Sequence, residues 1–193
     1  MKKRTLWIAV AAVVVIILLL LFFPFRNSVR SGLGEKVEAA KNSFYEGIPG
    51  SGDSAEAPYT ALSERLSAAN DLLNLAAKYD AVYTEYSGLR TAYNSLMNLL
   101  KDKGALSEIK SADEALTEAV AVCAEPLQAL TEGKAAEALA TALQTLETAE
   151  ERLAVLTASY NAYISDFTES TLSSFPNRFL KLFLSDPEPE LWP

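Results

Sequence analysis

The sequence predicts an all-α protein in which an N-terminal transmembrane helix precedes a bundle of long antiparallel helices. Two observations predict this class: an uncharged apolar run from Leu6 to Phe25, and apolar residues spaced by threes and fours along the rest of the chain. With 193 residues, half of them hydrophobic, the chain suffices for one membrane element and one compact domain. We therefore expect an anchor over 1–25, a helical bundle over 26–184 and a Pro-rich C-terminal tail over 185–193.

The apolar run is typical of a membrane anchor. As a helix it is long enough to cross about 30 Å of hydrocarbon. A cleaved signal peptide is the alternative, but the run exceeds the usual roughly 7–15 residues and no Ala-x-Ala-like site follows it. Basic residues flank the run on both sides. Lys2, Lys3 and Arg4 precede it, and Arg26 and Arg30 follow it. Their balance favours a single-pass cell-membrane protein with a cytoplasmic N-terminus and the bundle on the outer face.

The charge of the remaining chain limits its partners. From residue 31 onward, 12 basic residues face 25 acidic ones. An anionic domain is repelled by nucleic acid and by anionic lipid headgroups, so we expect protein partners, lipid contact through the anchor and no nucleic acid. The oligomeric state is not predicted. The single cysteine, Cys123, cannot form an internal disulfide, and its place on an apolar seam favours a small buried hydrophobe over a reactive thiol.

Four helices are predicted beyond the anchor. Their approximate bounds are 26–46, Tyr59–Lys103, Leu106–Thr131 and Lys134–Ser173. Gly, Pro and Ser predict an exposed loop over 47–58, and DKG and EGK predict the two later breaks. We expect Gly104 in the left-handed conformation that ends a helix, and Pro126 to kink or interrupt the third helix.

Four tyrosines follow one face of the long second helix. They are Tyr79, Tyr83, Tyr86 and Tyr93. Such a strip could stack a ligand, but aromatic residues at helical spacing more often belong to a core with their hydroxyls at its rim. The core interpretation is preferred.

The residue types that carry most enzymatic chemistry are scarce. The chain has no histidine, and one cysteine cannot build a structural zinc site. Three carboxylates cluster on the fourth helix, Glu147, Glu150 and Glu151, and pairs of carboxylates can perform acid/base or di-metal chemistry. A solvated face with Arg152 as a counter-charge is the preferred interpretation. We expect no enzyme activity, no catalytic residue, no cofactor and no metal.

The C-terminal part of the chain resembles the LemA family. Its signature is a helix with a Leu-Glu start, a Tyr-Asn pair, a second aromatic, a Phe-Pro break and a short apolar stretch. The matching positions here are Leu146, Glu147, Glu150, Arg152, Tyr160, Asn161, Asp166, Phe167, Phe175 and Pro176. The N-terminal part of the pattern matches at Asn27, Ser28, Val29, Arg30, Val37, Ala40, Ile48 and Pro49. The chain departs from the family at Glu151, where an Asn is usual, and before the Tyr-Asn pair, where basic residues are usual.

The resemblance implies a membrane-associated helical protein and leaves the activity open. Our leading hypothesis is a scaffold or adaptor of the cell envelope that acts through protein–protein interaction. The alternative is a ligand-sensing module that binds a ligand near the tyrosine strip and signals through a partner protein. Physically, Tyr160 and Asn161 could fix the register of the bundle by side-chain hydrogen bonds. Phe175 could plug the bundle end, and the apolar face of RFLKLFL is expected to pack there rather than on a membrane surface or a partner.

Overall fold

The computed structural model describes residues 24–25, 27–49, 56–184 and 188–193. All regular elements in these ranges are helical and none is a strand, so the predicted all-α class and helical bundle are confirmed. The predicted anchor lies outside the described residues except for Pro24 and Phe25. Among the helices that are described, none combines the length and the apolar character needed to cross a bilayer.

The described residues form two compact units. One contains the residues up to Ala40 together with those from Asp166 to Pro189, and the other contains Lys41 to Ser165 together with Glu190 to Pro193. Five helices of more than one turn run through them, and a single-turn helix follows. They are α1 (Glu35–Glu46), α2 (Pro58–Ala76), α3 (Tyr83–Lys101), α4 (Leu106–Leu130), α5 (Lys134–Asp166) and the short α6 (Asn177–Leu180).

The second unit is a helical bundle with a continuous apolar core. Helices α2, α3 and α4 contact one another, and ion pairs join α5 to α2. The core residues recur at helical spacing, so each helix buries one face. Its largest fully buried apolar side chains are Phe44, Leu62, Leu72, Leu89, Leu96, Ile109, Leu116, Leu127, Tyr160 and Ile164. Cys123 is buried among them as predicted, and burial raises the pKa of its thiol.

The prediction of one helix from Tyr59 to Lys103 was wrong. The chain leaves the helix after Ala76 and resumes through a 3-10 turn at Asp80–Val82 before α3 begins. In a continuous helix Val82 would lie within about 20° of Leu75, which is buried, so the apolar spacing alone does not require the break. Val82 is fully buried in the structure.

The tyrosine strip does not lie in the core. In α3 the buried face is formed by Leu89, Leu96 and Leu100, and Tyr83 is 73% exposed. The other three tyrosines are half-buried. The predicted core position of Tyr83 was therefore wrong, because Tyr83 lies about 100–140° around the axis of α3 from these three buried leucines.

The ends of α3 and α4 show which residues stop each helix. Lys103, with φ of 50°, takes the left-handed position that was predicted for Gly104. The N–H of Gly104 donates to the Leu99 carbonyl at 2.9 Å, and a Cβ on Gly104 would lie 2.9 Å from a Leu99 methyl, which would have to shift to admit it. Helix α4 runs through Pro126 to Leu130, so the predicted interruption was wrong. Gly133, with φ of 52°, begins the reversal into α5.

The first unit contains the residues on either side of the predicted anchor boundary and the end of α5. Its N-terminal part is helical from residue 27 and buries one face. Its C-terminal part continues α5 as a π-helix, Phe167–Leu172, and then passes a cis Phe175–Pro176 bond into α6 and a 3-10 turn, Lys181–Phe183. The buried apolar residues of this unit are Val29, Leu33, Val37, Ala40, Phe167 and Leu172.

Candidate functional site

The Tyr-Asn pair on α5 binds the last four residues of the chain. Asn161 donates from Nδ2 to the Trp192 carbonyl at 2.9 Å and accepts from the Trp192 N–H at 2.8 Å through Oδ1. The Tyr160 hydroxyl donates to the Glu190 carbonyl at 2.7 Å. All three hydrogen bonds go to main-chain atoms, so the pair holds the backbone of an extended segment.

Burial keeps Tyr160 in the form that can donate. Its side chain is 1% exposed. Burial is the main cause that raises the pKa of Tyr160, and the nearby Glu190 carboxylate raises it further. The hydroxyl therefore stays protonated at any physiological pH.

An aromatic residue from α1 supplies the other wall of this site. The Phe44 ring is fully buried, and it stacks on the Trp192 ring with centroids 5.5 Å apart and planes 16° apart. It also meets the Tyr160 ring edge-on at 5.5 Å. Trp192 is thus held by ring stacking on one residue and by two backbone hydrogen bonds on another.

The N-terminus of α4 completes the site. No side chain from Ala105 caps this helix, and the N–H of Leu106 instead donates to the Glu190 carboxylate at 3.0 Å. One turn later, Lys110 donates from Nζ to the Pro193 carbonyl at 2.9 Å. A carboxylate at a helix N-terminus satisfies an unpaired N–H and interacts favourably with the helix dipole. We call the five residues Phe44, Leu106, Lys110, Tyr160 and Asn161 the clamp, and Glu190–Pro193 the tail segment.

A buried ion pair lies elsewhere in the same unit. Arg65 on α2, 2% exposed, donates from Nε to Asp113 at 2.7 Å, from Nη2 to the Thr117 hydroxyl at 2.6 Å and from Nη1 to Glu150 at 3.2 Å. Burial raises the pKa of Asp113, and the Arg65 guanidinium only partly offsets this. Because Glu150 is largely exposed, Asp113 is the partner that depends on Arg65.

A cavity of about 420 Å³ opens beside this ion pair, between α4 and α5. Its walls are mostly apolar, and its polar groups are Arg65, Thr117, Gln128 and three carboxylates. The residues that set its chemistry are Arg65, Val120, Glu125, Leu143, Leu146, Glu147 and Glu150. No group of three or more metal-ligating side chains is found in the described ranges.

The structure places two members of the predicted carboxylate cluster, Glu147 and Glu150, in the wall of the same cavity. Glu150 bonds to Arg65, and Glu147 is exposed at the cavity. Arg152 pairs with Glu64 at 2.7 Å and with Glu56, rather than with the carboxylates on its own helix. These hydrogen bonds lower the pKa of Glu56.

The remaining motif residues lie in the first unit. Asp166 is the exposed last residue of α5, and Phe167 is buried at the start of the π-helix. Phe175 is 77% exposed, and Pro176 is exposed beside it. The predicted burial of Phe175 as a plug was therefore wrong, as was the packing expected for the apolar face that follows it, because Phe179 and Phe183 of that face are exposed too.

No protein-family model, curated protein or solved structure matches the chain. The geometry of the clamp therefore carries the functional argument.

Sequence reasoning missed Phe44, Leu106 and Lys110 as members of the clamp. Each lies far along the chain from Asn161, and their meeting is a property of the folded bundle. One signal was present, since Trp192 is a large aromatic residue in a Pro-punctuated tail, where a side chain of that size has no local packing partner.

Proposed function

We propose that the chain is a membrane-anchored adaptor of the cell envelope whose helical bundle binds an extended segment of a protein partner in the clamp. The observation that carries this proposal is the tail segment, held by Asn161 and Tyr160 through its backbone and by Phe44 through one aromatic ring. Extended-peptide recognition commonly combines main-chain hydrogen bonds for affinity with side-chain pockets for specificity.

The chemistry of the clamp defines the partner. Only two contacts read side chains of the bound segment: the Phe44 ring reads an aromatic residue, and the Leu106 N–H reads a carboxylate two residues before it. The other contacts are made to backbone carbonyls, which every residue has, and to one backbone N–H. That N–H belongs to the aromatic residue, and only proline at this position would lack it. The expected partner therefore offers an extended segment with an acidic residue, any residue and then an aromatic one.

The tail segment does not bond to one buried hydroxyl beside the clamp. The Tyr45 hydroxyl lies buried next to the Phe44 ring and has no hydrogen-bond partner within the described part of the chain. An unpaired buried hydroxyl costs about 1–3 kcal/mol. A partner segment that presents an acceptor to Tyr45 would recover this cost and could replace the tail segment.

Anchoring is supported by the sequence. The apolar run from Leu6 to Phe25 and its basic flanks favour a single span with the bundle on the outer face. Tyr160 and Asn161, which hold the tail segment, are also among the residues that carry the resemblance to the LemA family. That resemblance supports membrane association and a divergent membership of the family.

A ligand-sensing module is the second candidate, and the cavity between α4 and α5 favours it. Its apolar walls and rim carboxylates suit a cationic amphiphile. The residues that line this cavity are distant in sequence from the tyrosine strip, where the ligand was predicted to bind. It ranks second because the Arg65 nitrogen atoms are already bonded to Asp113, Thr117 and Glu150.

A labelled peptide tests the clamp directly. The peptide EPELWP, residues 188–193, is added to the full chain in detergent micelles, and binding is followed by fluorescence anisotropy. We expect it to bind the Trp192→Ala chain at least about tenfold more tightly than the natural chain, because a tethered competitor has an effective concentration of order millimolar. Trp192→Ala removes the ring that holds the tethered segment and leaves the clamp intact.

The matched control is the Trp192→Ala, Asn161→Ala double variant, which lacks the two backbone hydrogen bonds. A peptide with Ala in place of Trp is the second control. Equal binding to the single and double variants would mean that the clamp does not receive peptides, and the tail segment would then be only an internal brace of the bundle.

A further inference from the structure

Large apolar side chains lie exposed together at the C-terminal end of the first unit. Leu182 is 78% exposed and Phe175 is 77% exposed, and the exposed fractions of Phe179 and Phe183 are 50% and 37%. We call these four residues the apolar patch. Within it, the Phe175 and Phe179 rings meet edge-on at 5.9 Å. Exposed apolar groups gathered in so short a segment mark a surface that contacts something other than water.

The patch is in contact with the end of the predicted anchor. The Phe183 ring meets the Phe25 ring edge-on, with centroids 5.6 Å apart. Phe25 is the last residue of the apolar run and is itself 46% exposed. A helix that crosses the hydrocarbon ends at the boundary between acyl chains and headgroups, so this ring contact brings the patch to that boundary.

The charge of the segment suits the same boundary. From Phe175 to Leu184 the chain carries Arg178 and Lys181 and no acidic residue, in contrast to the net acidic sequence from residue 31 onward as a whole. The Arg178 guanidinium lies 4.7 Å from the centroid of the Phe179 ring, and Lys181 bonds to Glu188 at 3.0 Å. Aromatic and leucine side chains beside basic residues are the composition of segments that lie in the membrane interface.

We propose that the apolar patch lies in the headgroup region of the bilayer next to the anchor, as a second contact of the first unit with lipid. This inference depends on the membrane anchoring in the proposed function and is independent of the clamp. The ring contact with Phe25 and the local basic charge favour lipid over a protein partner. A segment of this kind buries its apolar face about 5–10 Å into the boundary.

A fluorophore attached at three positions tests the proposal in the full chain. Single cysteines are introduced by Leu182→Cys, Val155→Cys and Val13→Cys in a Cys123→Ala background, and each is labelled with an environment-sensitive dye. The chains are reconstituted in vesicles of phosphatidylcholine with phosphatidylglycerol that carry brominated acyl chains. Val155, on α5, is 66% exposed and serves as the matched exposed apolar control. Val13, within the apolar run, reports on anchoring.

The expected result is blue-shifted emission at position 182 with loss of fluorescence to shallow bromines. Position 13 should lose fluorescence to deep bromines, and position 155 should lose none. Quenching at 13 without quenching at 182 would overturn the lipid contact and leave the anchoring in place. Absence of quenching at both positions would overturn the anchoring and the lipid contact together. Equal quenching at 182 and 155 would also contradict the proposal, since it would reflect contact without selectivity for the patch.

Discussion

Replacing Arg65 with methionine is expected to lower the free energy of unfolding by about 3–5 kcal/mol, the usual effect of removing one partner from a buried ion pair. The Asp113 carboxylate would stay buried without its counter-charge, since Thr117 donates its hydroxyl to the main-chain carbonyl of Asp113 and not to the carboxylate. Chemical denaturation followed by circular dichroism measures the change.

The loss should shrink as the pH falls. Burial raises the pKa of Asp113 in the folded state, and the loss of Arg65 removes the main opposing influence. A carboxyl whose folded pKa is raised stabilises the fold when protonated, fully below its unfolded pKa of about 3.9, and this stability is lost as the pH rises through the folded value. The Arg65→Met variant should therefore be least impaired in acid.

A double variant serves as the control for Arg65. Arg65→Met with Asp113→Leu removes both charges, and it should be markedly more stable than Arg65→Met alone, because replacing both partners of a buried pair by apolar groups is often nearly neutral. A loss below about 1 kcal/mol for Arg65→Met would show that Asp113 is solvated and would contradict the burial of the pair.

Replacing Phe44 with alanine is the second large expected effect, about 3–5 kcal/mol, because the ring is fully buried against Trp192 and Tyr160. It should also move Trp192 into a more polar environment and shift its fluorescence to longer wavelength. Denaturation and tryptophan emission measure the two effects.

Phe175→Ala is the matched control. The same substitution at this exposed ring should cost less than about 1 kcal/mol, since surface changes away from packed features have small effects. A comparable loss at both positions would mean that Phe175 is buried in solution, and the placement of the apolar patch at the surface would be wrong.

The spacing of apolar residues correctly predicted the helices that are separated from their neighbours by a glycine. The third and fourth predicted helices agree with α4 and with α5 extended by its π-helix, because Gly104 and Gly133 punctuate the chain where the bundle turns. The break after Ala76 has no such marker. Val82 would align with the buried Leu75 in a continuous helix, so neither apolar spacing nor local propensity predicts a break at this point.

The sequence identified the Tyr-Asn pair and missed what it binds. Hydrogen bonds from Asn161 to Trp192 join residues 31 positions apart, and the Glu190 contact with Leu106 joins residues 84 apart. Apolar spacing gives no information on such pairings. For Arg65 and Asp113 a weak signal existed, since each is a charged residue on an otherwise apolar helical face, where it requires a partner of opposite charge.

Photo-crosslinking from the rim of the clamp in native membranes tests the adaptor function most directly. Tyr59, exposed and 5.7 Å from the Tyr45 ring, is replaced by a benzophenone amino acid, and crosslinked peptides are sequenced by mass spectrometry. The account predicts adducts with a segment of another protein that carries an acidic and an aromatic residue, lost with Asn161→Ala and with added EPELWP peptide. Adducts confined to residues 188–193 of the same chain would contradict it.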